Sequence, residues 1–285
     1  MFYYMVSHPG KPIDGEMRHK RLYHYTSFYS FLKIYFSGSL KFGSVSQVND
    51  IMEANRRMVC NTPKQLPLLF AMRDILASYK QISFTMDYDS LIKGCMSNSM
   101  WYHYGDKRNG VCIEFNADKL HLTENFLCGE VDYHYLLDEK LSLPKEASSI
   151  VDVETFINKH KYQIFFTKTK EWQYENEYRV VCQNDNGLDI RDAITAVYFT
   201  DCDNAFVMTA EKIVDDSIQI KYIDYFNESG DITPLDQGTE SMRHKMKRIA
   251  ESHKNETSLM QQAEKLYETN KHKRDCPLLL TDYDN

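Results

Sequence analysis

A chain of 285 residues that is 42% apolar and 26% charged has material for one large core or two small ones, which excludes a disordered chain. Its net charge of −7, from 34 Lys and Arg against 41 Asp and Glu, excludes indiscriminate polyanion binding and leaves room only for a local basic face. Seven cysteines with no Cys-x-x-Cys pair suit neither a disulfide framework nor a zinc knuckle, and point to a reducing, cytoplasmic setting.

The opening MFYYMVSHPGKP is too short and polar for a signal peptide, and no apolar run approaches the roughly 20 residues of a bilayer span, so no membrane partner is expected. RLYHYT (21–26) alternates as a strand does, and SFYSFLKIYFSGSL follows at helical spacing with Ser27 as cap and Gly38 as stop. KFGSVSQVND reads as a second strand running into a polar turn, in which Asn49, Asp50 and Glu53 suit turn and cap duty better than a metal. LPLLFAMRDILASY (66–79) reads as a helix and QISFTMD as extended. SNSMWYHYGD gives one to two helical turns, broken by GDKRNG, and VCIEF and GEVDYHY are strands rich in β-branched and aromatic side chains. A helix is expected over 152–165, then a strand ending EYRVV, a strand at AITAVYFTD, a helix near 203–214 and a last strand at IQIKYIDYF.

From about residue 239 the pattern changes. Met242, Met246, Ile249, His253, Glu256, Met260, Ala263 and Tyr267 step by four and three along one helix, and residues 240–275 carry nine Lys or Arg against six Asp or Glu. The domain reading is therefore 1–238 as the main unit and 239–285 as a basic helical extension. The extension suits packing on its own domain, docking of a partner protein or guidance of an acidic substrate.

The common nucleotide and hydrolase motifs are absent: no Gly-x-Gly-x-x-Gly, no Gly-x-x-x-x-Gly-Lys-Ser/Thr, no His-Glu-x-x-His and no Gly-x-Ser-x-Gly. Three clusters remain, LYHYTS (22–27), SNSMWYHYGD (97–106) and EWQYENEYR (171–179), each joining aromatic rings to a histidine or to carboxylates. Rings beside carboxylates suit a flat, cationic or nucleotide-like ligand. Glu-x-Glu-x-Arg also suits a solvent-facing antiparallel strand opposite lysines, and a histidine between tyrosines also suits a satisfied core side chain.

LYHYTS, SGSLKFGSVSQVND, MWYHYGDKRNGVCIEF and WQYENEYRVV together resemble a bacterial domain-of-unknown-function family over most of residues 20–225, and that pattern looks like a divergent ADP-ribosyltransferase. The resemblance implies an α+β fold with a split, mainly antiparallel sheet and flanking helices, holding NAD in a cleft. It puts His24, with Tyr25 and Thr26, in the first-strand place and Glu177 in the catalytic-glutamate place, preceded by Glu175. Ser44 and Ser46 fall where some members carry Ser-Thr-Ser, and the tyrosine that stacks on nicotinamide is Tyr104, Tyr102 or Tyr25. If the chain is extended there, Glu175, Glu177 and Arg179 share one side, so that Arg179 relieves the repulsion and holds the pyrophosphate. The implied activity is mono-ADP-ribosyl transfer to a nucleic acid, such as RNA, or a protein. That of a bacterial toxin or defence effector held by an antitoxin or inhibitor protein is the implied setting. The alternatives are an NAD glycohydrolase and a non-enzymatic nucleotide- or protein-binding module.

Overall fold

In the computed structural model, which describes residues 20–45, 58–135, 141–183, 187–200, 202, 204–224 and 233–234, the chain enters through strand β1 (Arg21–Thr26). These residues all belong to the first of the two units into which the chain divides, Met1–Leu235. The helix expected in 239–285, Ser46, and the Asn49, Asp50 and Glu53 cluster lie outside the described residues.

Helix α1 (Phe28–Ser37) starts where the Ser27 hydroxyl accepts the Ser30 N–H, which satisfies one of the first-turn donors. It stops at Gly38, whose φ of 62° is open to glycine at little cost. Phe28, Phe31 and Ile34 face the sheet at helical spacing. The segment read as one strand after α1 is two pieces, β2 (Ser39–Lys41) and β3 (Gly43–Ser44), parted where Phe42 buries its ring against Phe126.

The chain continues through β4 (Met58–Val59), α2 (Leu66–Ala77), β5 (Lys80–Met86), α3 (Asn98–His103) and β6 (Val111–Asn116). GEVDYHY, read as one strand, divides at Val131 into β7 (Leu127–Glu130) and β8 (Asp132–His134), which pair with different partners. Then come β9 (Leu141–Ser142), α4 (Ile150–Phe165), β10 (Thr167–Thr169), β11 (Glu177–Cys182) and β12 (Gly187–Asp189). The described part ends with β13 (Ile194–Phe199), α5 (Asn204–Ile213), β14 (Gln219–Asp224) and β15 (Thr233–Pro234).

Helix α4 begins two residues before its expected start because Ser149 and Asp152 form a reciprocal capping box. Ser149→Ala is expected to destabilise the chain by about 1 kcal/mol in urea denaturation, and an unchanged midpoint would show that the box is dispensable.

The main sheet runs β15-β14-β13-β6-β1-β5-β11-β7, antiparallel except for β13 and β14, which α5 joins as a crossover. This is an α+β architecture built on a mainly antiparallel sheet with flanking helices. On one face Leu22, Ile82, Phe84, Ile113, Phe115 and Val180 pack under α1 and α5. Each such buried side chain contributes about 1.5–3 kcal/mol. On the other face Val181 packs with Met72 and Leu76 of α2 and Phe156 and Phe165 of α4, while Tyr23 and Tyr25 pack with Trp101 of α3. Between these two apolar patches the same face carries Gln81, Ser83 and Thr85, which alternate with the apolar residues of β5, and Glu177 and Arg179 of β11.

The sheet splits beside this polar strip. Strand β1 pairs with β5 at Leu22–Met86 and Tyr23–Thr85, and β3 pairs with the other end of the same edge at Gly43–Gln81 and Ser44–Lys80. His24 and Tyr25 stand where the two neighbours of β5 part. Among the described residues no helix is long and apolar enough to cross a membrane.

Candidate active site

The split opens into a cavity of about 400 Å³ lined by His24, Tyr25, Ser44, Tyr104, Lys168, Glu175 and Glu177, among others. Three segments distant in sequence thus meet in one place: LYHYTS on β1, MWYHY on and just after α3, and EWQYENEYR before and along β11.

His24 uses its ring to bridge the split. Its Nδ1–H donates to the Ser83 carbonyl at 3.1 Å, an acceptor of β5 beyond the paired stretch of β1. Burial lowers its pKa, although the bond to Ser83 opposes this, so the ring is neutral and leaves Nε2 as an acceptor. Tyr25 is anchored: its hydroxyl donates to the Gly94 carbonyl, and its ring meets Trp101 edge-on with centroids 5.2 Å apart. Of the three tyrosines left open by the sequence, Tyr104 and Tyr25 line the cavity and Tyr102 is exposed.

The two glutamates reach each other by a route the sequence concealed. Residues Lys170–Glu175 form a tight helical turn and Asn176 takes a left-handed conformation with φ of 42°, so Glu175 is not on an extended strand with Glu177. Asn176 holds this turn by donating its side-chain amide to the carbonyls of Met86 and Asp87. Only Glu177 and Arg179 keep the expected i, i+2 relation of a strand.

The carboxylates converge on Lys168 of β10, 6% exposed, whose Nζ lies 2.5 Å from Glu175 Oε2 and 3.0 Å from Glu177 Oε2. Tyr104 donates its hydroxyl to Glu175 Oε1 at 2.5 Å. On the far side Arg179 grips Glu177 with two hydrogen bonds, Nε to Oε1 at 2.6 Å and a terminal nitrogen to Oε2 at 2.9 Å, and its other terminal nitrogen donates to the Phe165 carbonyl. The Glu177 backbone N–H donates to the Tyr133 hydroxyl.

Their surroundings push the two acids apart. Burial opposes ionisation of Glu177, but the adjacent Arg179 and Lys168 outweigh it and hold its carboxyl at about 2. Glu175 goes the other way, because burial and the neighbouring Glu177 raise its pKa more than Lys168 lowers it. Glu177 is closely paired: Arg179 donates to it twice and the Lys168 Nζ lies 3.0 Å from its Oε2.

Two residues singled out from the sequence stand apart from the cavity lining. Arg179 is 0% exposed and does not line the cavity, so it serves as the fixed counterion of Glu177 and is not placed to hold a pyrophosphate. Thr26, at the end of β1 opposite Val111, does not line the cavity either. Ser44 does, with Lys41 and Gln81. Lys168, Ser83 and Tyr133 were missed. For Ser83 a signal exists, since Gln81, Ser83 and Thr85 alternate with Ile82, Phe84 and Met86. For Lys168, seven residues before Glu175 within TKTKEW, no pattern marks it.

Most of this machinery falls in one recognisable stretch. Residues 100–180 match the family described as Protein of unknown function (DUF2971). No curated protein matches the chain. The DUF2971 stretch contains Tyr104, Lys168, Glu175, Glu177 and Arg179, whereas His24 on β1 and Ser83 on β5 lie before it.

Proposed function

We propose that this chain cleaves NAD at the bond between nicotinamide and ribose and transfers ADP-ribose to a macromolecular acceptor, nucleic acid or protein. The observation that carries the reading is the meeting of first-strand His24, Tyr104 and Glu177 in one cavity at the split of an antiparallel sheet.

In this reading His24 accepts a ribose hydroxyl or an amide proton at Nε2, and a tyrosine face packs on the pyridinium ring. Glu177, ionised at all physiological pH values, faces the positive charge that develops on the ribose as the C1′–N bond breaks with its electron pair passing to nicotinamide. The acceptor forms the new bond to C1′, and its proton passes to Glu175.

Incubation with NAD labelled in the ADP-ribose half tests this directly. Label on a nucleic acid or protein supports transfer. Free ADP-ribose alone reduces the activity to hydrolysis, and intact NAD sinks the enzymatic reading in favour of a binding module.

His24→Ala separates the ligand role from the role of bridging the strands. It is expected to weaken NAD binding about tenfold and so to remove about 1.4 kcal/mol of NAD-dependent stabilisation. If the thermal shift with NAD is unaltered, His24 serves only to close the gap to Ser83.

A further inference from the structure

We propose that Lys168 is a positioning residue, holding the carboxylates of Glu175 and Glu177 at one fixed spacing and dividing its charge between them. This rests on the reading of Glu175 as the proton acceptor of the transfer.

The geometry assigns the two cations different duties. Arg179 is locked behind Glu177 by two hydrogen bonds and by the Phe165 carbonyl. Among the described residues the cation paired with Glu175 is Lys168. The other groups facing Glu175 are Tyr104 from the end of α3, its chain neighbour Tyr174, Tyr88 after β5, Tyr133 of β8 and Glu177, while Arg179 is paired with Glu177. Tyr104 donates to Glu175 but carries no positive charge, so among the described residues the charge that offsets the repulsion at Glu175 comes from Lys168.

The ammonium is held on both flanks. Strand β10 pairs parallel to β8 with Lys168 opposite Tyr133, and Thr167 beside it donates to the Gln163 carbonyl near the end of α4. The Trp172 ring lies 5.5 Å from the Nζ and contributes a cation–π contact. A buried lysine fixed between two acids is well placed to keep one of them ionised while a ligand engages the other.

Lys168→Gln removes the charge and keeps a hydrogen-bond donor. Two readouts are needed, ¹³C titration of the glutamate carboxyls and the pH profile of NAD cleavage. Lys168→Gln should raise the titration of Glu175 by about 1–3 pH units and move the acid limb of the rate profile up with it. Lys168→Arg, which keeps the charge, should restore much of both. Glu177, with Arg179 behind it, should move less than Glu175.

An unmoved Glu175 in folded Lys168→Gln overturns the proposal, as does cleavage with the wild-type pH profile. Should Lys168→Gln not fold, Lys168→Arg carries the test: Glu175 titrating as in the wild type supports the proposal, and Glu175 titrating as a carboxyl without a cation overturns it. A shift of Glu175 in a chain that never cleaves NAD sinks the NAD reading and leaves the role of Lys168 standing.

Discussion

Glu177→Gln is expected to lower NAD cleavage by roughly 10²–10⁴-fold while NAD binding changes little, because the amide keeps the shape but lacks the charge that opposes the developing cation. The carboxylate is suited to this role by its fixed geometry, with Arg179 behind it and Lys168 in front. Measurement is by initial rates with labelled NAD on a variant checked for native circular dichroism. Full activity in the folded variant would remove Glu177 from the chemistry.

The second large effect is on stability. Arg179→Met should cost about 3–5 kcal/mol, because it leaves a carboxylate that is 2% exposed with only the Lys168 ammonium it shares with Glu175, in place of its own guanidinium. Adding Glu177→Gln should recover part of that loss, since Lys168 then has one buried acid to neutralise instead of two. Urea denaturation of the single and double variants tests this. A double variant no more stable than Arg179→Met alone would place the cost in lost packing and in the Phe165 carbonyl.

The same pair sets an acid limit. The folded-state pKa of Glu177 lies below the usual 4.5, at about 2. Its contribution to stability is therefore complete above about pH 4.5 and fades as the pH falls toward 2. The stability gap between wild type and Glu177→Gln should change across that window.

Elements with strong local signals were legible. Ser27 and Gly38 bracket α1 because a cap and a left-handed stop are each fixed by one residue. The alternation of RLYHYT gave β1 its place, and the resemblance singled out His24, Glu175, Glu177 and three alternative tyrosines, of which Tyr104 and Tyr25 share one cavity with the other three residues. What escaped depends on contacts between segments. Periodicity cannot tell that Phe42 interrupts a strand by burying against Phe126, or that Val131 sends β7 and β8 to different partners. The extended reading of Glu175 through Arg179 failed at Asn176, whose left-handed turn is held by carbonyls of Met86 and Asp87, about ninety positions away. Lys168 escaped for a related reason: a lysine becomes the centre of a site only when folding buries it between acids.

Because β1 and β3 occupy successive lengths of one edge of β5, joined through the ten residues of α1, the mouth of the cleft is a missing stretch of ladder framed by two registers. Its width is counted in residues of backbone. Substitutions of the side chains that line it alter its shape, whereas changing the length of the gap alters the backbone frame itself. That would take an insertion or deletion between Ser27 and Gly43, where a change of one residue flips every following side chain of β3 to the opposite side of the sheet.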